Sequence, residues 1–581
     1  MDSKEYLHRA KSWLSTSFDP ESRNEVQLLI DRGGDELQDS FYKNLEFGTG
    51  GLRARMGVGT NRINRYTVGM VTQGIANYLK EKFQEQRELS VAIAFDSREN
   101  SPLFAQVTAE VFAANGFKVF LYTHIRPTPQ LSFTVRVLKC SVGVMVTASH
   151  NPKEYNGYKL YWSDGAQVLP PYDQEIIRRV DRITEPQQVK WSGGEKNITL
   201  LDGEIDRAYL DQLSKLILNK RGGGESISIV YTPLHGAGVE MVPRFLKRAG
   251  FRELHIVEEQ TTLDGTFATL QYPNPEEPTA LKMALELAHK VDADLVLATD
   301  PDCDRVGAAS KERGGGYRIF NGNEIATLLI YYILERLQHQ GRLNKGNKRG
   351  YLVKTIVTTD LIRSLGAYYN VEVIEVLTGF KYIAQIVAQL EGKKEFIAGA
   401  EESHGFNVGE AVRDKDGVIA SALLAEVAEW AKESRKTLSE LLNGLYLKFG
   451  LYREELFSIP LMGIEAKERS TVLLEQLRAT PPLSIAGEKT LLIHDYLAQE
   501  SVDLLSDLRY SIELPKSNVL QYITSQNSII TVRASGTEPK LKLYIGVKES
   551  LRSIEQIEMV EKVALERIER LSTYFINHFR R

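Results

Sequence analysis

Cysteine is almost missing from this 581-residue chain, which carries only Cys140 and Cys303. Two cysteines exclude a disulfide-stapled scaffold and fit a reducing compartment. Long apolar runs are missing as well. The most apolar short stretch, 325–334, is far below the roughly 20 residues that a membrane-spanning helix needs. It reads as a buried helix. The start, Met1-Asp2-Ser3-Lys4-Glu5, is polar and carries no signal-peptide pattern, so a soluble cytoplasmic protein with no membrane partner is expected. There is no cationic excess: 72 Lys and Arg against 76 Asp and Glu leave a net charge of -4. That balance argues against a nucleic-acid partner. It does not exclude a small anion, because a local cationic pocket fits inside a mildly acidic protein. Neither a Gly-x-x-x-x-Gly-Lys-Ser/Thr phosphate loop nor a Gly-x-Ser-x-Gly elbow occurs at the candidate sites, so a nucleotide P-loop and a hydrolase triad are not implied.

What is present is a recurring unit. A short apolar, β-branched run ends in a polar loop, and a helical pattern follows. Such runs are 91–95, 142–146, 227–230, 295–298 and 395–400, with helical patterns at 102–115, 242–249 and 417–433. Strands alternating with helices predict an α/β fold with mostly parallel pairing. Ligands gather beyond the carboxyl ends of strands in such sheets. The chain is too long for one core. Its pattern predicts three related α/β domains, 1–204, 205–320 and 321–449, with joints near 203–206, 314–322 and 447–452. A smaller α+β domain, 450–581, would follow, with strands at 528–532 and 541–547 and a helix over 553–574. The Gly-rich stretch 220–225 reads as an exposed loop.

Four loops carry chemistry. In Asp300-Pro301-Asp302-Cys303-Asp304-Arg305, carboxylates alternate directly after a strand, a pattern that can converge on one hard cation. A solvated acidic loop with capping aspartates is the plainer alternative. Thr147-Ala148-Ser149-His150-Asn151-Pro152 offers an accessible hydroxyl, with His150 and Lys159 as nearby cations or proton carriers. An ordinary strand-end turn with Ser149 as a cap explains the same residues. Glu401-Glu402-Ser403-His404-Gly405 could bind vicinal hydroxyls, and Thr378-Gly379-Phe380-Lys381 adds a turn with a cation. Arg533-Ala534-Ser535-Gly536-Thr537, with Lys540, combines a bidentate guanidinium with hydroxyls and a Gly turn, as phosphate binding requires. A hairpin turn with surface cations is equally consistent with it. Gly48-Thr49-Gly50-Gly51-Leu52-Arg53 could bring Arg53 close to an anion.

Together, and in this order, these loops resemble those of the α-D-phosphohexomutase family almost end to end. Asp96-Ser97-Arg98, Arg126-Pro127-Thr128-Pro129 and Pro273-Asn274-Pro275-Glu276-Glu277-Pro278 also look like the family, on its bacterial branch near the animal phosphopentomutases. The resemblance implies four domains around a central cleft, the last of them like TATA-binding protein. It implies Ser149 as a phosphoserine that also touches the metal, and Asp300, Asp302 and Asp304 as ligands of one Mg2+. Lys159 would be the general base, with Arg53 and His150 in support. Glu401 and Ser403 would bind sugar hydroxyls, and Gly379, Phe380 and Lys381 would form a loop that reads sugar orientation. Arg305 would follow the metal loop at the substrate. Arg533, Ser535, Gly536, Thr537 and Lys540 would hold phosphate. The sequence departs from the family at Ala400, where many members have Gly, and at His404, which directly follows Ser403.

The implied activity is an intramolecular phosphotransfer between glucose 1-phosphate and glucose 6-phosphate. It would run through the phosphoserine and a glucose 1,6-bisphosphate that serves as intermediate and activator. Pentose or mannose phosphates as substrates, a metal-dependent phosphatase, and sugar-phosphate binding without turnover are the alternatives.

Overall fold

The computed structural model describes residues 3–48, 51–84, 88–219, 227–343, 349–461, 466–534 and 540–580. The predicted loop at 220–225 lies outside them. The chain divides into two compact units: Met1–Phe320 with Ala384–Glu391 and His404–Trp430, and Asn321–Ile383 with Gly392–Ser403 and Ala431–Arg581. No helix among the described residues is long and apolar enough to cross a membrane.

The first unit holds two mixed sheets. One runs Gly51–Arg55, Tyr155–Trp162, Val142–Val146, Ser90–Phe95, Lys118–Tyr122, Ile198–Leu201 in spatial order. The last four strands are parallel, and the first two are antiparallel to their neighbours. Period-two alternation explains why Val142–Val146 is a strand. Val142, Val144 and Val146 join one core with Val71, Ile75 and Phe104, while Met145 joins another with Leu131 and Val135. All four strand residues are fully buried, which stabilises the sheet by about 1.5–3 kcal/mol each. An aspartate at Val144 would bury an unpaired charge and break this strand.

The second sheet runs Tyr317–Phe320, Val306–Lys311, Leu295–Thr299, Ile229–Thr232, Leu254–Ile256. Its last three strands are parallel and its first two antiparallel.

The predicted strand–loop–helix unit is corrected at two places. After the Ser149 loop the chain returns as the antiparallel strand Tyr155–Trp162, and after the Asp300 loop it returns as Val306–Lys311. A hairpin return needs no crossover helix. Glycine permits the first return, since a Cβ on Gly157 would lie 2.4 Å from the Thr147 carbonyl oxygen. The stretch 203–206 is the first turn of the helix Gly203–Leu213.

Ahead of the first sheet lie helices Ser3–Ser12, Pro20–Arg32 and Gly34–Phe41, which sequence analysis does not predict. Their core is aromatic. Trp13 stacks on Phe18 at 4.4 Å and meets Phe41 and Tyr66 edge-on at 5.7 Å.

In the second unit, Glu372–Val376, Gly350–Thr355 and Glu395–Ala400 pair in parallel. A C-terminal antiparallel sheet then orders Leu451–Pro460, Lys540–Glu549, Ile529–Ala534, Val519–Thr524, Glu488–Asp495, Glu500–Asp503 and Leu508–Ser511. The terminal helix spans Ile557–Arg580, starting a turn later than the sequence predicts.

Candidate active site

In the first unit, the loops that carry chemistry leave the carboxyl ends of parallel strands. Asp96 and Arg98 follow Ser90–Phe95, Thr128 follows Lys118–Tyr122, Ser149 follows Val142–Val146, and the three aspartates follow Leu295–Thr299. Loop closure in the second sheet needs Gly236. A Cβ there would meet Pro301 Cα at 2.5 Å, and the neighbouring Ala237 N–H donates to the Pro301 carbonyl at 2.7 Å.

The structure brings Ser149 and the aspartates together. Ser149 Oγ donates to Asp300 Oδ2 at 2.8 Å, and the main chain at Ser149 is left-handed, φ 54°. Cys303, between the second and third aspartates, is also left-handed at φ 55°. Non-glycine residues avoid this region, and such strain gathers at functional sites. Asp300, Asp302 and Asp304 each bring an oxygen within 4.8 Å of the others, and all three side chains are buried. Asp300 Oδ1 accepts the backbone N–H groups of Asp304 and Arg305 at 3.1 and 3.0 Å, which curls the loop around its own carboxylate.

Lys159 lies on the returning strand opposite Met145. Its Nζ donates to Asp302 Oδ2 at 2.6 Å and to Asp304 Oδ2 at 3.2 Å. Burial lowers the Lys159 pKa, but Asp302 and Asp304 outweigh it and hold the ammonium above its ordinary value. Burial, then Asp302 and Asp304, push Asp300 well above the usual carboxylate range. Asp304 is also buried, yet Lys159, Lys415 and Arg305 pull it well below that range.

This donor set fits a divalent cation. Asp302 Oδ1 and Asp304 Oδ1 are buried and have no hydrogen-bond partner among the described residues. Orphaned carboxylate oxygens are costly, and a hard cation with oxygen ligands satisfies them. The triad could therefore hold a metal ion.

The supporting residues are less enclosed. His150 Nδ1 is 3.4 Å from Ser149 Oγ, at the limit of a hydrogen bond. Burial, then Arg305 and Arg53, push the His150 pKa well down. Arg53 pairs with Gly157 in the sheet, and its Nη1 donates to Asn151 Oδ1 at 3.2 Å. Arg305 is ion-paired with Glu276.

Neither Lys415 nor a role for Thr128 is legible in the sequence. Lys415 is buried, with Nζ 3.2 Å from Asp304 Oδ2 and 3.0 Å from Asp414 Oδ1. The alternating charges of Arg413-Asp414-Lys415-Asp416 at a helix start were the available signal. Thr128 donates from Oγ1 to Asp302 Oδ2 at 2.7 Å.

In the second unit, the Gly379 N–H donates to Glu401 Oε1 at 3.0 Å. A φ of 122° makes that turn a glycine position. Phe380 is buried, Lys381 Nζ lies 5.3 Å from the Tyr382 ring centroid, and Ser403 is half-buried. Arg533 is the next-to-last residue of the strand Ile529–Ala534, and Lys540 opens the strand that pairs with it. Arg533 Nη2 donates to the Tyr544 hydroxyl at 3.1 Å. Ser535, Gly536 and Thr537 lie outside the described residues. His404 belongs to the first unit. It is buried at φ 61°, and its Nδ1 donates to the Val306 carbonyl at 3.0 Å.

Family models for the phosphoglucomutase/phosphomannomutase α/β/α domains I, II and III match residues 44–187, 207–315 and 321–449. A phosphoglucomutase from Staphylococcus aureus strain RF122 is 36% identical over 550 residues, 94% of this chain and 96% of the relative. That from strain USA300 is 37% identical over 90% and 96%. Among solved structures, a phosphomannomutase from Thermus thermophilus covers 91% of this chain and 99% of its own, with TM-score 0.63 and 23% identity. The open form of parafusin, a Paramecium phosphoglucomutase, covers 92% and 96% with TM-score 0.65 and 17% identity. These two share the fold. By its three matched α/β domains and its C-terminal β-rich domain, the chain belongs to the phosphoglucomutase/phosphomannomutase family.

Proposed function

We propose that this protein interconverts glucose 1-phosphate and glucose 6-phosphate, with Ser149 carrying the transferring phosphoryl group. The supporting observation is the approach of Ser149 Oγ to 2.8 Å from Asp300, inside the buried carboxylate triad. The relatives named for the same activity support the reaction class.

Phosphorylated Ser149 passes its phosphoryl group to the free O6 or O1 of a bound glucose monophosphate. The Oγ–P bond breaks as the sugar O–P bond forms. Ser149 Oγ leaves as the oxyanion. A magnesium ion held by Asp300, Asp302 and Asp304 would offset charge on the phosphoryl oxygens and relieve the carboxylates' pull on the Lys159 proton. Lys159, as the neutral amine, takes the proton of the attacking hydroxyl on Nζ and becomes the ammonium. His150 and the Arg53 guanidinium flank the phosphoryl group. Glucose 1,6-bisphosphate then turns end for end and returns its other phosphoryl group to Ser149. Glu401 and Ser403 take sugar hydroxyls, while Arg533, Lys540 and the residues Ser535, Gly536 and Thr537 take the phosphate that is not transferred.

A coupled assay tests the reaction with glucose 1-phosphate, ribose 1-phosphate and mannose 1-phosphate, with and without magnesium and glucose 1,6-bisphosphate. Glucose 1-phosphate should give the highest kcat/KM, and only with magnesium. Faster turnover of the pentose or mannose phosphate would reassign the substrate, and release of inorganic phosphate at the same rate would make the protein a phosphatase.

A further inference from the structure

The mechanism above leaves Arg98 unused, although it is among the most deeply buried large side chains of the molecule. Its guanidinium gathers four main-chain carbonyls of the serine loop. Nη2 donates to Ser149 O and Asn151 O, each at 2.5 Å, and Nη1 donates to Pro152 O at 2.8 Å and Tyr155 O at 3.0 Å. Four carbonyl oxygens turned toward one point repel each other unless a cation sits among them.

Asp96 fixes that cation. Its Oδ2 lies 3.3 Å from Arg98 Nε, and its Oδ1 accepts the Arg98 N–H at 3.1 Å and Ser101 Oγ at 2.7 Å. Asp96 also reaches the serine from the other side. Thr147 Oγ1 donates to Asp96 Oδ2 at 2.6 Å and accepts the Ser149 N–H at 2.7 Å. Ser149 is thus gripped at both its N–H and its carbonyl. That grip holds it at φ 54°, which a serine adopts only when its surroundings impose it.

The second sheet's loop seals the hub. The Phe267 ring centroid is 5.0 Å from the guanidinium carbon, and a Cβ on Gly265 would lie 2.3 Å from Glu99 N. Arg98 is thus closed off from solvent at 1% exposure, and the clamp spans both sheets that supply the site.

Resting on the reading of Ser149 as phosphoryl carrier, we propose that Arg98, locked by Asp96, is the positioning residue that sets the Ser149 hydroxyl in line for phosphoryl transfer. It touches no reacting atom and acts through the serine loop's main chain. Lysine cannot replace it, because a compact ammonium with three donors does not span four carbonyls held by a planar fork.

The test uses the full chain as Arg98→Lys, Thr147→Val and Ser149→Ala. Readouts are kcat and KM for glucose 1-phosphate, the rate of Ser149 phosphorylation by glucose 1,6-bisphosphate followed by intact mass, and thermal melting. For a folded Arg98→Lys, kcat and the phosphorylation rate should fall together by about 100-fold, as misplacement by an ångström does, with KM within about threefold of the parent. Thr147→Val should lose about tenfold in kcat with the same unchanged KM. A merely structural clamp would lower the melting temperature and leave kcat per folded molecule intact, which would overturn the proposal. So would a loss confined to KM. If Arg98→Lys does not fold, Thr147→Val decides by the same criteria. If Ser149→Ala keeps turnover, the Ser149 reading fails and this one with it. If Ser149→Ala is inactive while folded Arg98→Lys keeps its kcat, positioning alone fails.

Discussion

Around Ser149, Lys159, Asp302, Asp304 and Lys415 are buried and tied to one another at 2.6–3.2 Å. Around Arg533, in the C-terminal sheet, the guanidinium is half-buried, donates to a Tyr544 hydroxyl and lies 5.7 Å from that ring's centroid. The two regions spend charge differently. Burial in the first makes every interaction strong and fixes each group before a substrate arrives, which is how charge developing in a transition state is stabilised. The second offers a cation steadied by a neutral aromatic, suited to gripping phosphate without choosing a transition state. If that contrast is right, damage to the first region should appear in kcat and damage to the second in KM.

The largest effect belongs to Ser149→Ala, which should lower kcat by on the order of 10⁴-fold or more and leave the melting temperature within a few degrees. Stopped coupled assays beside thermal melts check both. Next comes metal removal. Dialysis against a chelator should cost about 10²–10³-fold in kcat, restored by magnesium, because Asp302 Oδ1 and Asp304 Oδ1 have no hydrogen-bond partner among the described residues. Full activity in the chelated protein would erase the contrast. Arg533→Ala should raise KM for glucose 1-phosphate about 10- to 100-fold, the value of one or two charge-assisted hydrogen bonds, with kcat nearly kept. A fall confined to kcat would place Arg533 in the first class.

The smallest effect concerns pH. Burial raises Asp416 to about 6, although Ile419 and Val418 N–H groups and the Tyr209 hydroxyl favour its charge. Its folded pKa exceeds the unfolded 3.8, so its stabilisation is full below about pH 4 and is lost as pH rises through 6. Asp416→Asn keeps the acceptor and has no proton to lose. Relative to the parent, it should gain on the order of 2–3 kcal/mol between about pH 4 and pH 8, read from denaturant melts. A gap that stays flat with pH would remove Asp416 from the buried class.

The same contrast governs what sequence reveals. Val142–Val146 and Glu395–Ala400 fall where an apolar run ends in polar residues, because a strand buried on both faces needs that composition. The three aspartates are legible because alternate spacing after a strand points them one way. The hairpin that returns Lys159 is not legible, since Tyr155–Trp162 could equally have been a buried helix by its apolar content. Thr128 and Lys415 reach the aspartates from distant parts of the chain, a closeness only the fold creates. The N-terminal helices escape notice because Trp13, Phe18, Phe41 and Tyr66 form one core from separate segments, leaving no segment with a clear period.

On the proposed reading, Ser149 Oγ and the aspartate triad form one phosphoryl-transfer centre. Its most direct test is peptide mapping by mass spectrometry after dephosphorylated protein meets glucose 1,6-bisphosphate and magnesium. One phosphoryl group is expected, on Ser149, and none in Asp302→Ala. Turnover with phosphate on another residue, or none on Ser149, would contradict it.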